Sequence, residues 1–242
     1  MRTDTVQNRN RLTGSELKLI GCASMLIDHF AKCFDFTGTA NLICCHLIGR
    51  LAFPIFAFLL VEGFLHTRHM KRYFLSLFLF AVLSELPYDL AINGSGRLFP
   101  EFTCQNTLFT LTLGLLMLNC IKKAEALYAN RTSAYTLISV PGILVILVFG
   151  AASQLLHLDY GFIGMACIGA MYLFRATYNG AAFWGCICLN LEFFTMPGAF
   201  LSLLPLSLYD GTRGKQMKYF FYLFYPLHLL LLFLLKRALM HG

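Results

Sequence analysis

Long apolar runs separated by short polar breaks dominate this chain, and they set the architecture before any motif is considered. From Leu17 to Leu235 the runs recur at lengths that approach the roughly 20 residues a helix needs to cross a bilayer. They predict nine helices, over about 16–35, 41–65, 72–91, 106–122, 134–150, 159–175, 180–195, 197–209 and 217–237. The seventh and eighth are short and meet at Met196-Pro197-Gly198, so a re-entrant or broken pair is the alternative to two full spans. The expected fold is therefore all-α, a polytopic transmembrane helix bundle of about nine spans, with eight to ten as the range. One membrane domain accounts for residues 1–242, of which 1–15 form a polar, basic segment with Arg2, Arg9 and Arg11. No small-residue cleavage site follows the first run closely, so it reads as a retained span. No repeat or linker interrupts the bundle, and Asn93-Gly94-Ser95-Gly96-Arg97 is a turn signal.

Loop charge gives the runs a direction, because Lys and Arg are retained on the cytoplasmic side. One set of alternate loops holds the N-terminal arginines, Arg68 to Arg72, Lys122-Lys123 with Arg131, Arg175, and Arg213, Lys215 and Lys218. The other set holds little beyond Arg97. The N-terminus is expected inside, and nine spans then place the C-terminus outside, with Lys236 and Arg237 snorkelling at the outer interface.

Composition narrows the class further. With only 13% charged residues and a mean hydropathy of +0.67, the chain has more apolar surface than one soluble core hides. The net charge of +7 lies in short loops beside the runs and forms no continuous stripe, which argues against a nucleic-acid partner and for membrane lipids. Nine cysteines are scattered without zinc-site or short disulfide spacing, so no metal is expected.

Ionisable residues inside spans are costly, roughly 3 kcal/mol or more each, and each is a candidate for function as well as for a structural ion pair. Asp28-His29 lies about 20 Å along the first helix from Glu16, in the outer half. It is either an interfacial pair, with Lys32 and Asp35 close behind, or a buried imidazole oriented by a carboxylate and suited to general base work. On the second helix Pro54 deprives the Arg50 carbonyl of its helical partner, and Glu62 falls near the cytoplasmic end. Arg50 has two readings, a structural partner of Glu85 or Asp89 and a substrate ligand. The third helix carries Glu85 and Asp89 on one face with Pro87 between them, and needs Arg50 or His29 nearby. Asn106, Thr110 and Asp159 sit at helix starts, where capping explains them as well as function does. In the last helix Tyr225 and His228 share a face beside Pro226, with His228 about 15 Å from Lys218, near the midplane.

Taken in order, these motifs resemble the TraX family of membrane proteins, whose named member is associated with N-terminal acetylation of conjugative pilin. The resemblance covers nearly the whole chain. It rests on Met25-Leu26-Ile27-Asp28-His29, on Ile48-Gly49-Arg50-Leu51-Ala52-Phe53-Pro54 continuing to Val61-Glu62-Gly63-Phe64 and His66-Thr67-Arg68, and on Ser84-Glu85-Leu86-Pro87-Tyr88-Asp89. Asn106-Thr107-Leu108-Phe109-Thr110, Asp159-Tyr160-Gly161 and Phe224-Tyr225-Pro226-Leu227-His228 follow. Lys18 and His29, with ten residues between them, are also similar to a spacing in the acyltransferase three superfamily of membrane enzymes.

The resemblance implies a multi-pass protein of the bacterial cytoplasmic (inner) membrane that transfers an acetyl group from acetyl-CoA to a protein or glycan acceptor. Family membership leaves the acceptor open. Read onto this chain, it makes His29 the base, oriented by Asp28 or Glu85, with Arg50 stabilising charge and His228 as the second candidate base. Asp89, Asn106, Asp159, Tyr225 and Glu62 become substrate contacts. Lys18, Arg68, Lys71, Arg72, Arg213 and Lys215 become contacts for the phosphates of acyl-CoA. An ion-coupled transporter and a structural membrane subunit are the competing classes.

Overall fold

The computed structural model describes residues 11–93, 103–128, 140–191 and 198–241. Arg2, Arg9, Arg97, Arg131, the Gly94–Arg97 part of the turn signal, residues 134–139 of the fifth predicted helix and Met196-Pro197 lie outside them.

The first helix, α1 (Gly14–Cys33), starts at a capping box. The Thr13 hydroxyl accepts from the Glu16 amide, and the Glu16 carboxylate accepts from the Thr13 amide at 2.7 Å. The loop before the last helix is tied to the same turn. The amides of Gly14 and Ser15 donate to the carbonyls of Thr212 and Arg213 at 2.8 and 3.0 Å, and the Lys215 amide donates to the Ser15 hydroxyl at 3.0 Å. Within that loop Thr212 donates to Asp210 through its amide and its hydroxyl, which holds the Asp210 carboxyl below the usual carboxylate range. The last helix, α11 (Lys218–His241), therefore begins beside the start of α1 and runs parallel to it.

Between them the chain goes back and forth. A short α2 (Gly38–Asn41) leads into a π-helical stretch, Leu42–Ile48, then one 3₁₀ turn, Gly49–Leu51, and then α3 (Ala52–His66). Pro54 sits in the first turn of α3, where its missing N–H is tolerated, and the irregular turns lie just ahead of it. The turn at 67–69 reverses the chain into α4 (Met70–Tyr88), and Pro87 near its end is followed by a second π-helical stretch, Asp89–Asn93. Then come α5 (Thr107–Tyr128), α6 (Val140–Leu155), α7 (Gly161–Leu173), α8 (Tyr178–Asn190), α9 (Gly198–Leu201) and α10 (Leu203–Ser207).

Helix α7 is the packing hub. Met165, Cys167, Ile168 and Met171 are fully buried against α3, α5, α6 and α8. By contrast α4, α6 and α11 carry exposed Leu and Val rows, including Leu75, Leu79, Leu83, Leu144, Leu147, Leu231 and Leu234. Apolar patches of that extent belong against lipid. The molecule is a membrane protein.

Each of the nine predicted segments is helical over its described part, with ends shifted by a few residues, but the segments are not nine equivalent spans. Among the described residues four stretches are long and apolar enough to cross: Gly38–His66, Met70–Ile92, Thr107–Leu127 and Lys218–Leu239. At ~1.5 Å per residue, α7 and α8 reach only about 20 Å, and α9 with α10 about 15 Å, against a hydrocarbon core of about 30 Å. Hydropathy does not separate the two kinds, because a helix buried in protein is as apolar as one facing lipid.

The irregular turns ahead of α3 are tied to α1 by Ser24, whose hydroxyl donates to the Ile48 carbonyl at 2.6 Å. Ser24→Ala removes that donor from a buried carbonyl and is expected to lower stability by ~1 kcal/mol. Reversible unfolding in mixed micelles measures it, and an unchanged midpoint would mean the turns are held by other contacts.

Candidate active site

Parallel packing of α1 and α11 brings two distant histidines together. His29 Nδ1 and His228 Nε2 are 2.8 Å apart, and the rings meet edge to edge, with centres 5.1 Å apart and planes 5° apart. Both are 5% exposed. The other nitrogen of His228, Nδ1, lies 2.7 Å from the carbonyl oxygen of Phe224, one turn back on α11. Tyr88 and Tyr225 close the sides of His29, edge-on at 6.5 and 6.1 Å, and the Phe224 ring stacks on His228 at 4.8 Å.

The second nitrogen of His29, Nε2, faces Asp28 Oδ2 at 4.0 Å. That same oxygen is paired with Lys32 Nζ at 2.6 Å, one turn along the helix. Behind the carboxylate lies Gly49. A β-carbon there would sit 2.5 Å from Asp28 Oδ1 and 2.7 Å from its Cβ, so only glycine lets the 3₁₀ turn lie against this side chain.

Arg50 follows Gly49 and points to the other side. Its guanidinium lies 5.9 Å from the ring centre of Tyr160, and Asp28 and Asp159 are the carboxylates within electrostatic reach. Tyr160 has a left-handed backbone, φ 62°, and its ring stacks on Phe53 at 3.9 Å. Arg50, Gln154, Asp159, Tyr160, Asn190 and Ala199 line a cavity of about 450 Å³. The imidazoles are not part of its lining.

Asp159 is held by the hydroxyl of Thr107 and the amide of Tyr160, the latter at 3.1 Å, while the Thr110 hydroxyl donates to its carbonyl. Asn106 takes the capping role anticipated for it and also holds a carboxylate. Its side-chain oxygen caps α5 by accepting from the Leu108 amide at 3.0 Å, and its amide donates to Glu85 and to the Ala81 carbonyl. Glu85 is thus engaged through one oxygen, and Oε1 is buried without a hydrogen bond. Asp89 is fully buried at the start of the second π-helical stretch, and the Tyr225 hydroxyl is buried beside Thr107.

Asp28 and Asp159 act electrostatically on Arg50, and Asn106 takes the Glu85 carboxylate that was a candidate partner of Arg50 and a candidate to orient His29. Spacing along a helix gives a face and a depth but does not select the neighbour.

The remaining candidates sit at the opposite end of the bundle. Glu62 pairs with His66 at 4.0 Å, twelve residues and about 18 Å along the helical run from Arg50, so it is not part of this cluster. Lys18 lies over the Phe221 ring at 5.3 Å near Arg213, and Arg68, Lys71, Arg72, Arg213 and Lys215 are exposed around the same end. Among the described residues no group of three His, Cys, Asp or Glu side chains is placed to hold a metal ion.

A family model described as TraX protein matches residues 13–236, from the cap of α1 to Lys236 on α11. The chain belongs to the TraX family. It is also 30% identical over 242 residues to a probable fimbrial assembly protein, FimC of serogroup H1, from Dichelobacter nodosus, covering 90% of this chain and 93% of that one. No solved structure matches.

The TraX match spans both helices that carry the imidazoles and every element around the cavity. Sequence reasoning singled out neither Gln154 nor Asn190 on the cavity wall, nor the pairing of Lys32 with Asp28. The i, i+4 spacing of that pair was the one available signal. Gly49→Ala forces Asp28 or the 3₁₀ turn to move, and should cost about 1–3 kcal/mol. Thermal unfolding in detergent checks this, and a parental midpoint would show that Asp28 is not held by the glycine.

Proposed function

We propose that this TraX protein is an integral membrane acyltransferase that moves an acetyl group from acetyl-CoA to an amine or hydroxyl acceptor. The observation that carries the reading is the buried imidazole pair beside Asp28, with Arg50, next to the Gly49 on which Asp28 is seated, lining a cavity. Acyl transfer needs a base for the acceptor's proton and a cation or donor for the oxyanion that forms at the thioester carbonyl. His29 supplies the first and Arg50 the second. The acceptor's nitrogen or oxygen bonds to the carbonyl carbon, the carbon–sulfur bond breaks, and the acceptor's proton leaves on the CoA thiol by way of the imidazole.

The reading includes a topology. Nine segments cross or enter the bacterial inner membrane, with the start of α1 in the cytoplasm as the loop charges require. The exposed basic groups Arg68, Lys71, Arg72, Arg213 and Lys215 then face the compartment that makes acetyl-CoA, and suit its phosphates. The imidazoles and the cavity lie toward the outer face. A fimbrial assembly relative and a family associated with pilin acetylation point to the N-terminus of a membrane-presented protein as acceptor, with a glycan as the other candidate.

Membranes containing the protein, given labelled acetyl-CoA and a fimbrial subunit, are expected to transfer label to the subunit. His29→Ala should abolish transfer while insertion is retained, and unchanged transfer would remove His29 from the reaction. Arg50→Lys keeps the charge but loses the planar fork, and should reduce kcat by roughly 10-fold or more. Full activity in that variant would reduce Arg50 to a generic charge.

A further inference from the structure

Two hydrogen bonds read together decide which imidazole nitrogen is basic. The Phe224 carbonyl can only accept, so His228 Nδ1, 2.7 Å away, carries a hydrogen. A neutral His228 then has its lone pair on Nε2. That nitrogen is 2.8 Å from His29 Nδ1, a distance at which two lone pairs repel, so His29 Nδ1 carries the second hydrogen. The lone pair of His29 is left on Nε2, the nitrogen that faces Asp28. Neutrality of the pair follows from burial and from the neighbours: both rings are 5% exposed, among the described residues no carboxylate lies within ion-pair distance of His228, and Asp28, 4.0 Å from His29 Nε2, is already paired with Lys32 at 2.6 Å.

From this geometry we infer that His228 is a positioning residue, which locks His29 in the Nδ1–H tautomer and so makes His29 Nε2 the base. The inference rests on the acyl-transfer reading. His228 does not take the acceptor's proton. During transfer that proton moves from the acceptor to His29 Nε2 and from there to the departing thiolate, while the hydrogen on Nδ1 stays on its bond to His228. The transient imidazolium is shared with His228 on one side and meets the Asp28 carboxylate on the other. The charged and titratable groups that face His29 are Asp28 and Lys32 on α1, Tyr88 on α4, and Tyr225 and His228 on α11, with Arg50 and Asp159 beyond the Asp28–Lys32 pair.

The test compares His228→Leu with His228→Gln in the full-length protein, using labelled acetyl transfer. Leucine removes the acceptor for Nδ1–H, and kcat should fall on the order of 100-fold with KM little changed and the acid limb of the pH profile displaced. The glutamine carbonyl can accept the same hydrogen and should restore kcat to within about 10-fold. Leucine with parental kcat and an unmoved acid limb overturns the inference, and so does glutamine as inactive as leucine, because His228 would then carry protons itself. A readout without turnover is the nitrogen spectrum of the histidine-labelled protein in micelles. Protonated Nδ1 and bare Nε2 at His29 are expected, and the reverse overturns the inference. A parent protein that transfers no acetyl group would defeat the proposed reaction and leave that spectrum as the test of the tautomer.

Discussion

A hydrogen bond between two buried rings on helices 199 residues apart in sequence holds only if those helices keep one register. Four contacts set it along the full length of α1 and α11: the Lys215 amide on Ser15, the imidazole pair, the Cys33 thiol 3.7 Å from the Leu232 carbonyl, and Lys236 on Asp35 at 3.1 Å. They fall at nearly constant offset, as parallel neighbours require. A slip of one residue would turn His228 by about 100° around its helix and take the ring out of reach. The exposed Lys236–Asp35 pair adds little energy, so the register depends chiefly on the backbone bonds at Ser15 and on packing between the helices.

That register also explains where the chain gives up regular helix. In a membrane interior an unpaired backbone group costs several kcal/mol, so irregular turns persist only where side chains serve them. The π and 3₁₀ turns before α3 lie against α1, with Ser24 serving Ile48, and Asp28 is seated on Gly49. Gly198 at the start of α9 rests on the carbonyls of His46 and Leu47 from the other side. The irregular segment is thus clamped between α1 and α9. From adjacent positions its Gly49 seats Asp28 of α1, beside the imidazoles, and its Arg50 lines the cavity.

Much of this was legible in the sequence, for reasons that also set the limit. The apolar runs located the helices to within a few residues, and intramembrane cost singled out Asp28, His29, Arg50, Glu85, Asp159 and His228. Spans were harder to count than helices, because α7 is apolar from being buried by its neighbours and hydropathy is blind to what covers a helix. Partners were least legible. His29 was given Asp28 or Glu85 as its orienting group, and the structure puts His228 on Nδ1, Asp28 4.0 Å from Nε2 and Asn106 on Glu85. Those contacts depend on the azimuth of each helix in the bundle, which no local spacing encodes.

The choice of a second imidazole in place of a carboxylate behind His29 has a physical reason in this setting. A carboxylate on Nδ1 would bring another buried charge into a region that already holds Asp28, Asp159, Lys32 and Arg50, and in low dielectric that charge demands a further partner. A neutral imidazole ending on a backbone carbonyl adds none. In water a histidine samples both tautomers, whereas a buried ring keeps the one whose hydrogen has an acceptor. The Phe224 carbonyl ends the chain of hydrogen bonds, and it neither titrates nor changes when its side chain is replaced. The direction of the His29 lone pair is therefore set, two bonds away, by a peptide group of α11.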